Sequence, residues 1–94
     1  MSRRPTCWVA QLRQAGDIVI GSVLDISAHG AFFCPEADVG PDAFRVGQSV
    51  ALAFESEPNL AGLDLPCRVR WFGYSATHGR QGFGVEFTGG PIAA

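Results

Sequence analysis

This sequence predicts an all-β fold, a small six-stranded antiparallel barrel with little or no helix. Three observations carry that expectation. Apolar and polar residues alternate at period two in several separate segments, the spacing of strands with one buried face. Twelve Gly and six Pro are spread along the chain without a period, which suits many short strands and turns. No segment reads as a convincing helix.

Ninety-four residues make one domain, near the small end of what folds alone, with room for one core. The chain is 47% hydrophobic and only 17% charged, so it is globular rather than disordered. It divides into a mobile basic arm over residues 1–5, a barrel over 6–88 and a tail over 89–94. No internal repeat is visible.

Ser2 to Pro5 is the arm, basic and ended by Pro. Thr6 to Gln14 alternates as a first strand, with Trp8, Ala10 and Leu12 on one face. Ala15, Gly16 and Asp17 form a hairpin turn. Ile18 to Ser27 follows as a second strand, with Ile18, Ile20, Ser22, Leu24 and Ile26 facing inward and Asp25 and Ser27 outward. Gly21 in its middle suggests a bend or bulge. Ala31 to Cys34 is a third strand.

The stretch after it, from Pro35 to Gly47, has two Pro, two Gly and no period. It reads as a long connection, with one helical turn allowed at Asp42 to Arg45. Gln48 to Glu55 alternates again, with Val50, Leu52 and Phe54 inward. Leu63 to Tyr74 places Cys67, Val69 and Trp71 on one face and Arg68 and Arg70 on the other. Pro66 near its start argues for an edge or a bulge. Ala76 to Arg80 is a turn. Gly82 to Thr88 closes the set with Phe83, Val85 and Phe87 inward.

Several function classes fall away on composition. A net charge of −2 gives no basic field of the kind that binds nucleic acid, so neither DNA nor RNA is expected as a partner. All seven basic residues are Arg, each a planar fork suited to phosphate or guanine edges. Cys7, Cys34 and Cys67 are odd in number and unpaired in spacing, which reads as small buried hydrophobes in a reducing compartment. No apolar run approaches the about 20 residues that span a bilayer, and no signal peptide is evident. A cytoplasmic protein without membrane insertion is the expectation.

No catalytic residue, metal site or cofactor is expected either. His29, His78, Cys34 and Cys67 lack the paired spacing of zinc ligands. Ser27 and His29 are too close along the chain, and lack an orienting acid, for nucleophilic catalysis. Gly82 and Gly84 precede no helix, so they make no phosphate loop.

The chain is organised around Asp25-Ile26-Ser27-Ala28-His29-Gly30, between two apolar strands. Asp and Ser accept bonds from nearby backbone N–H groups, and Gly supplies positive φ. The plain structural account is a corner whose polar residues satisfy their own backbone. The surrounding motifs add a second account.

With Arg3-Arg4-Pro5, the Asp25 to Gly30 corner, Val50 to Phe54, Val69-Arg70-Trp71 and Gly82 to Phe87 in this order, the chain resembles the PilZ domain family, bacterial receptor modules for cyclic di-GMP. The resemblance implies a six-stranded barrel, often with a C-terminal helix. Here only six residues follow Thr88, so that helix is expected to be absent. It also implies ligand binding by an R-x-x-x-R arm and a (D/N)-x-S-x-x-G corner, which gives Arg3, Arg4, Asp25, Ser27 and Gly30 as binding residues. Arg forks serve phosphate oxygens or guanine O6 and N7. Asp accepts from the guanine N1–H and N2–H₂ edge, Ser donates, and Gly lets the ligand approach the backbone.

The corner is intact and the arm is not. Four residues on from Arg3 stands Cys7, and four on from Arg4 stands Trp8. One lost charge-assisted contact costs on the order of 1.5–3 kcal/mol, or roughly 10- to 100-fold in affinity. Trp8 would compensate only by stacking on a guanine, whereas its spacing favours the core. Arg68 and Arg70 read as a solvated strand face, with a basic groove as the sharper alternative. Two functions follow: a cyclic di-GMP receptor weakened by the missing Arg and signalling to a regulated protein partner, or an adaptor that contacts proteins without reading the nucleotide.

Overall fold

Strands with one apolar face bury it by curling the sheet until the two ends meet. The computed structural model describes residues 4–14, 16–36, 44–55 and 64–89, with the backbone alone for 4–7. Six strands are present: β1 (Arg4–Gln14), β2 (Asp17–Ile26), β3 (Gly30–Pro35), β4 (Ser49–Phe54), β5 (Asp64–Ser75) and β6 (Arg80–Phe87). They close in the order β1-β2-β3-β6-β5-β4, every pair antiparallel. No helix occurs among the described residues. The expected barrel is therefore the observed fold.

Some boundaries move. Arg4 and Pro5, expected in the arm, begin β1 and pair with Ile26 and Asp25. Met1, Ser2 and Arg3 lie outside the described residues, as do Asp42 and Ala43, the first half of the helical turn allowed at Asp42 to Arg45. Pro66 marks no bulge, but its position is a local edge, paired with β4 and without a partner in β6. It sits opposite Ala51 near the start of β5, beyond the end of β6, where its missing N–H interrupts no ladder bond.

The core follows the alternation in β1, β4 and β6. Ala10, Leu12, Val50, Leu52, Phe54, Phe83, Val85 and Phe87 all point into the barrel and are buried. Burying each large apolar side chain contributes roughly 1.5–3 kcal/mol. Phe44, from the long connection, is also buried and meets Phe83 edge to face, with centroids 5.5 Å apart at 81°. It plugs the core from a segment with no strand pattern.

β2 and β5 depart from the expected phase, and for one reason. The β2–β3 register passes from Val23↔Phe33 to Asp25↔Phe32, leaving Leu24 without a partner. The β5–β6 register passes from Val69↔Val85 to Trp71↔Gly84, leaving out Arg70. Each is a β-bulge, and one extra residue inverts the alternation beyond it. Before the β2 bulge the inward residue is Val23, so Ile18 and Ile20, expected inside, are 61% and 47% exposed. After it Ile26 points in and Asp25 out, as expected; Leu24, expected inside, is the bulged residue and half-buried. The bulge falls three residues beyond Gly21, which pairs in register with Ala10 and Pro35. In β5, Cys67 and Val69 are buried as expected, but Trp71 is 42% exposed and Phe72 packs on the core instead.

Candidate functional site

The corner between β2 and β3 is closed by its own backbone. Ser27 N–H donates to the Gly30 carbonyl at 2.8 Å, and Phe87 N–H donates to the His29 carbonyl at 2.8 Å. The Ser27 hydroxyl donates to the Gly30 carbonyl at 3.4 Å and accepts from the His29 N–H at 3.3 Å. Ser27 is therefore only 2% exposed, not outward-facing as expected. The turn folds over its side chain, which holds the corner's shape. Gly30 is likewise structural. It keeps an extended strand conformation without positive φ, and a Cβ there would run into the Val85 carbonyl oxygen of β6.

Asp25 does something different. The bulge at Leu24 turns its carboxylate onto the outer face beside Phe32. There Asp25 Oδ2 lies 2.6 Å from Nε2 of His78, which comes from the turn between β5 and β6. Both side chains are 15% exposed. The His78 ring lies nearly parallel to Phe32 (5.2 Å, 12°), and Trp71 does so too (5.4 Å, 23°). β3 is buried on both faces as a result: Phe33 points into the barrel while Phe32 lies beneath these outer rings.

Together these residues line a groove of about 450 Å³ across β2, β3, β6 and β5, a size typical of small-ligand sites. Asp25, Ser27 and Gly30 form part of it, with Phe32, Trp71 and His78. Arg70, the bulged residue of β5, reaches the rim and pairs loosely with Glu86, Nε to Oε1 3.7 Å. An exposed pair of this length holds its guanidinium only weakly. Arg68 is exposed outside the groove, so of the two only Arg70 fits the basic-groove alternative. Arg3 lies outside the described residues; Arg4 is placed by its backbone alone, opposite Ile26. The structure thus brings Asp25, Ser27 and Gly30 together and adds Trp71, Arg70 and His78. The arrangement offers a carboxylate acceptor, a half-exposed indole face and a guanidinium, which suits a flat, hydrogen-bonding, anionic ligand.

Sequence reasoning missed Trp71 because the bulge at Arg70 leaves no trace in the alternation. It missed His78 because the partner stands 53 residues away. Trp8, by contrast, packs edge-on against Phe54 (5.8 Å, 77°), in keeping with its apolar spacing. Among the described residues no three His, Cys, Asp or Glu side chains gather as metal ligands. Among the described residues there is no helix long and apolar enough to cross a membrane.

The barrel resembles that of the Bacillus subtilis inhibitor of motility (MotI/DgrA), with a TM-score of 0.68 at 18% identity. The match covers 98% of this chain and 42% of that one, so the chain spans less than half the length of that protein. No curated protein is a significant match to the sequence. The sequence profile of the PilZ domain matches residues 2–94. With the closed six-stranded barrel and its D-x-S-x-x-G corner on β2 and β3, the chain belongs to the PilZ domain family, whose modules are regulatory receptors rather than enzymes.

Proposed function

We propose that this domain is a cyclic di-GMP receptor whose nucleotide lies in the outer groove over β2, β3, β6 and β5. The observation that carries the reading is the presentation of Asp25 at the groove beside the half-exposed Trp71 indole. The carboxylate accepts from the N1–H and N2–H₂ edge of a guanine, and the indole offers a face for base stacking. Arg70 faces the phosphates from the rim, and Arg3 and Arg4 add charge from the N-terminal side. Ser27 and Gly30 contribute by fixing the corner that carries Asp25. Because no second Arg completes the arm, affinity is reduced by about 10- to 100-fold relative to a complete one. Binding signals to a regulated protein partner.

Calorimetric titration of the purified domain with cyclic di-GMP tests this. Saturable one-site binding, weakened by Asp25→Ala and by Arg70→Ala, supports it; no heat at millimolar nucleotide overturns it. The second reading is an adaptor that contacts a protein directly. It is favoured by the apolar outer face of β1 and β2, where Val9, Ile18 and Ile20 are all exposed. That reading gains if nucleotide binding is absent and substitutions at Ile18 and Ile20 abolish partner contact.

A further inference from the structure

Glu86 of β6 is a carboxylate on the groove wall with two guanidinium groups to choose from. Its cross-strand neighbour on the β3 side is Gly30, which offers no side chain. Its neighbour on the β5 side is Arg68. Residues directly opposite in an antiparallel pair share a face, with Cβ atoms about 4.5–5.5 Å apart. Arg68 is therefore the partner that regular pairing assigns to Glu86. The structure shows a different choice. Glu86 Oε1 lies 3.7 Å from Arg70 Nε, and among the described residues Arg68 has no carboxylate partner. The bulge explains this. Arg70 is the extra residue between Val69 and Trp71, so β5 presents a second guanidinium to the same carboxylate. Glu86 and Arg70 line the groove, whereas Arg68 stands beside it.

We propose that Glu86 competes with the ligand's phosphate for Arg70, and that Arg68 takes over Glu86 when the phosphate wins. This rests on the receptor reading above. The Arg70–Glu86 pair is long, and its side chains are 56% and 51% exposed, so it is weak and breaks readily. A phosphate offers the guanidinium two oxygens and a shorter, charge-assisted contact. Exchange of partners therefore favours the phosphate. Left where it is, the displaced carboxylate would repel that phosphate. Directly opposite Arg68, it needs only a change of rotamer to reach a new cation. Glu86 is thus a built-in competitor that sets a threshold for anionic ligands, and Arg68 lowers that threshold from outside the groove.

Neutral substitutions at these exposed positions test the exchange. The full chain carrying Glu86→Gln, Arg68→Gln or both is titrated with cyclic di-GMP at low and at high salt. Thermal melts establish that each variant is folded. Glu86→Gln should tighten binding by about two- to fivefold at low salt, and the gain should shrink at high salt. Arg68→Gln alone should weaken binding by a similar factor. It should cost clearly less when Glu86→Gln is also present, because its role is to hold that carboxylate. In an Arg70→Ala background the gain from Glu86→Gln should fall away, since no guanidinium is then released to the phosphate. If wild type binds and Arg70→Ala weakens it, but Glu86→Gln leaves affinity unchanged or weakens it, the inference fails alone. A gain that persists undiminished without Arg70 also overturns it, as does an Arg68→Gln effect independent of Glu86. Wild-type protein that does not bind cyclic di-GMP overturns the receptor reading and the inference with it.

Discussion

The indole of Trp71 occupies the space that a side chain at Gly84 would need. A Cβ built on Gly84 falls well inside contact distance of Trp71 Nε1, Cε2 and Cδ1. The two residues face each other across β5 and β6, just beyond the bulge at Arg70. A glycine on one strand thus makes the seat for an aromatic on the next.

Gly84→Ala should unseat that ring. Trp71 is at the half-exposed rim and can swing outward, so the cost in stability should be modest, about 1 kcal/mol. Loss of its stacking on Phe32 should shift Trp71 emission to longer wavelength. Fluorescence and urea unfolding in a Trp8→Phe background, where Trp71 is the remaining tryptophan, provide the check. Unchanged emission would show that the ring does not depend on the glycine.

Gly30→Ala should behave in the opposite way. Its Cβ meets the Val85 carbonyl, part of a ladder that cannot swing aside. Stability should fall by about 2–3 kcal/mol without any ligand present. Asp25→Ala, half-buried on the outer face, should leave the fold standing. Chemical denaturation of the two variants distinguishes a glycine that packs strands from one kept for ligand approach.

Cys67 makes a prediction about alkaline pH. Burial pushes its thiol from 9.0 up to about 12, against a smaller opposing effect of the Leu52 backbone. The folded state therefore holds a proton that the unfolded chain releases above about pH 9. The stabilising difference is complete below that pH and is lost as pH rises toward about 12. Its slope is at most roughly 1.4 kcal/mol per pH unit. Unfolding free energies of wild type and Cys67→Ala between pH 8 and about 11 should diverge in slope, the variant being flatter. The thiol should also resist alkylation until the protein unfolds.

Cys7→Arg restores an R-x-x-x-R spacing with Arg3. It should tighten cyclic di-GMP binding by about 10- to 100-fold, the reverse of the lost charge-assisted contact. Trp8→Arg makes the other register but removes an aromatic packed on Phe54, so it should destabilise the barrel instead. Titration of folded Cys7→Arg decides the matter: unchanged affinity means that the missing Arg is not what limits binding.

Most of the barrel was legible because alternation reports which face is buried. That signal served in β1, β4 and β6, where Leu12, Leu52 and Phe83 all face inward. It failed at Ile20 and Trp71 because a bulge adds one residue without changing the composition around it. A frame shift of one in the pairing is silent in the sequence. Phe44 was illegible for another reason: it stands alone between prolines and glycines, with no periodic neighbours to mark it as core. At the site, the corner was legible as a motif, but not the inward turn of Ser27. His78 was recognisable as a turn residue, yet nothing local announces a partner on β2. The two bulges that spoiled the reading are also what bring Asp25 and Trp71 to the same groove.

The pairing of β1 with both β2 and β4 has a consequence for any protein this domain meets. Among the described residues every strand is paired on both sides over part of its length, so none presents a whole free edge. A partner that adds a strand of its own, the common route by which extended peptides dock on open sheets, therefore finds only short stretches beyond the ladders with β4 rather than a full edge. Recognition then runs chiefly through side chains on the outer wall or through the connecting turns. It is consequently encoded residue by residue, where single substitutions can redirect it without disturbing the hydrogen-bonded cylinder beneath.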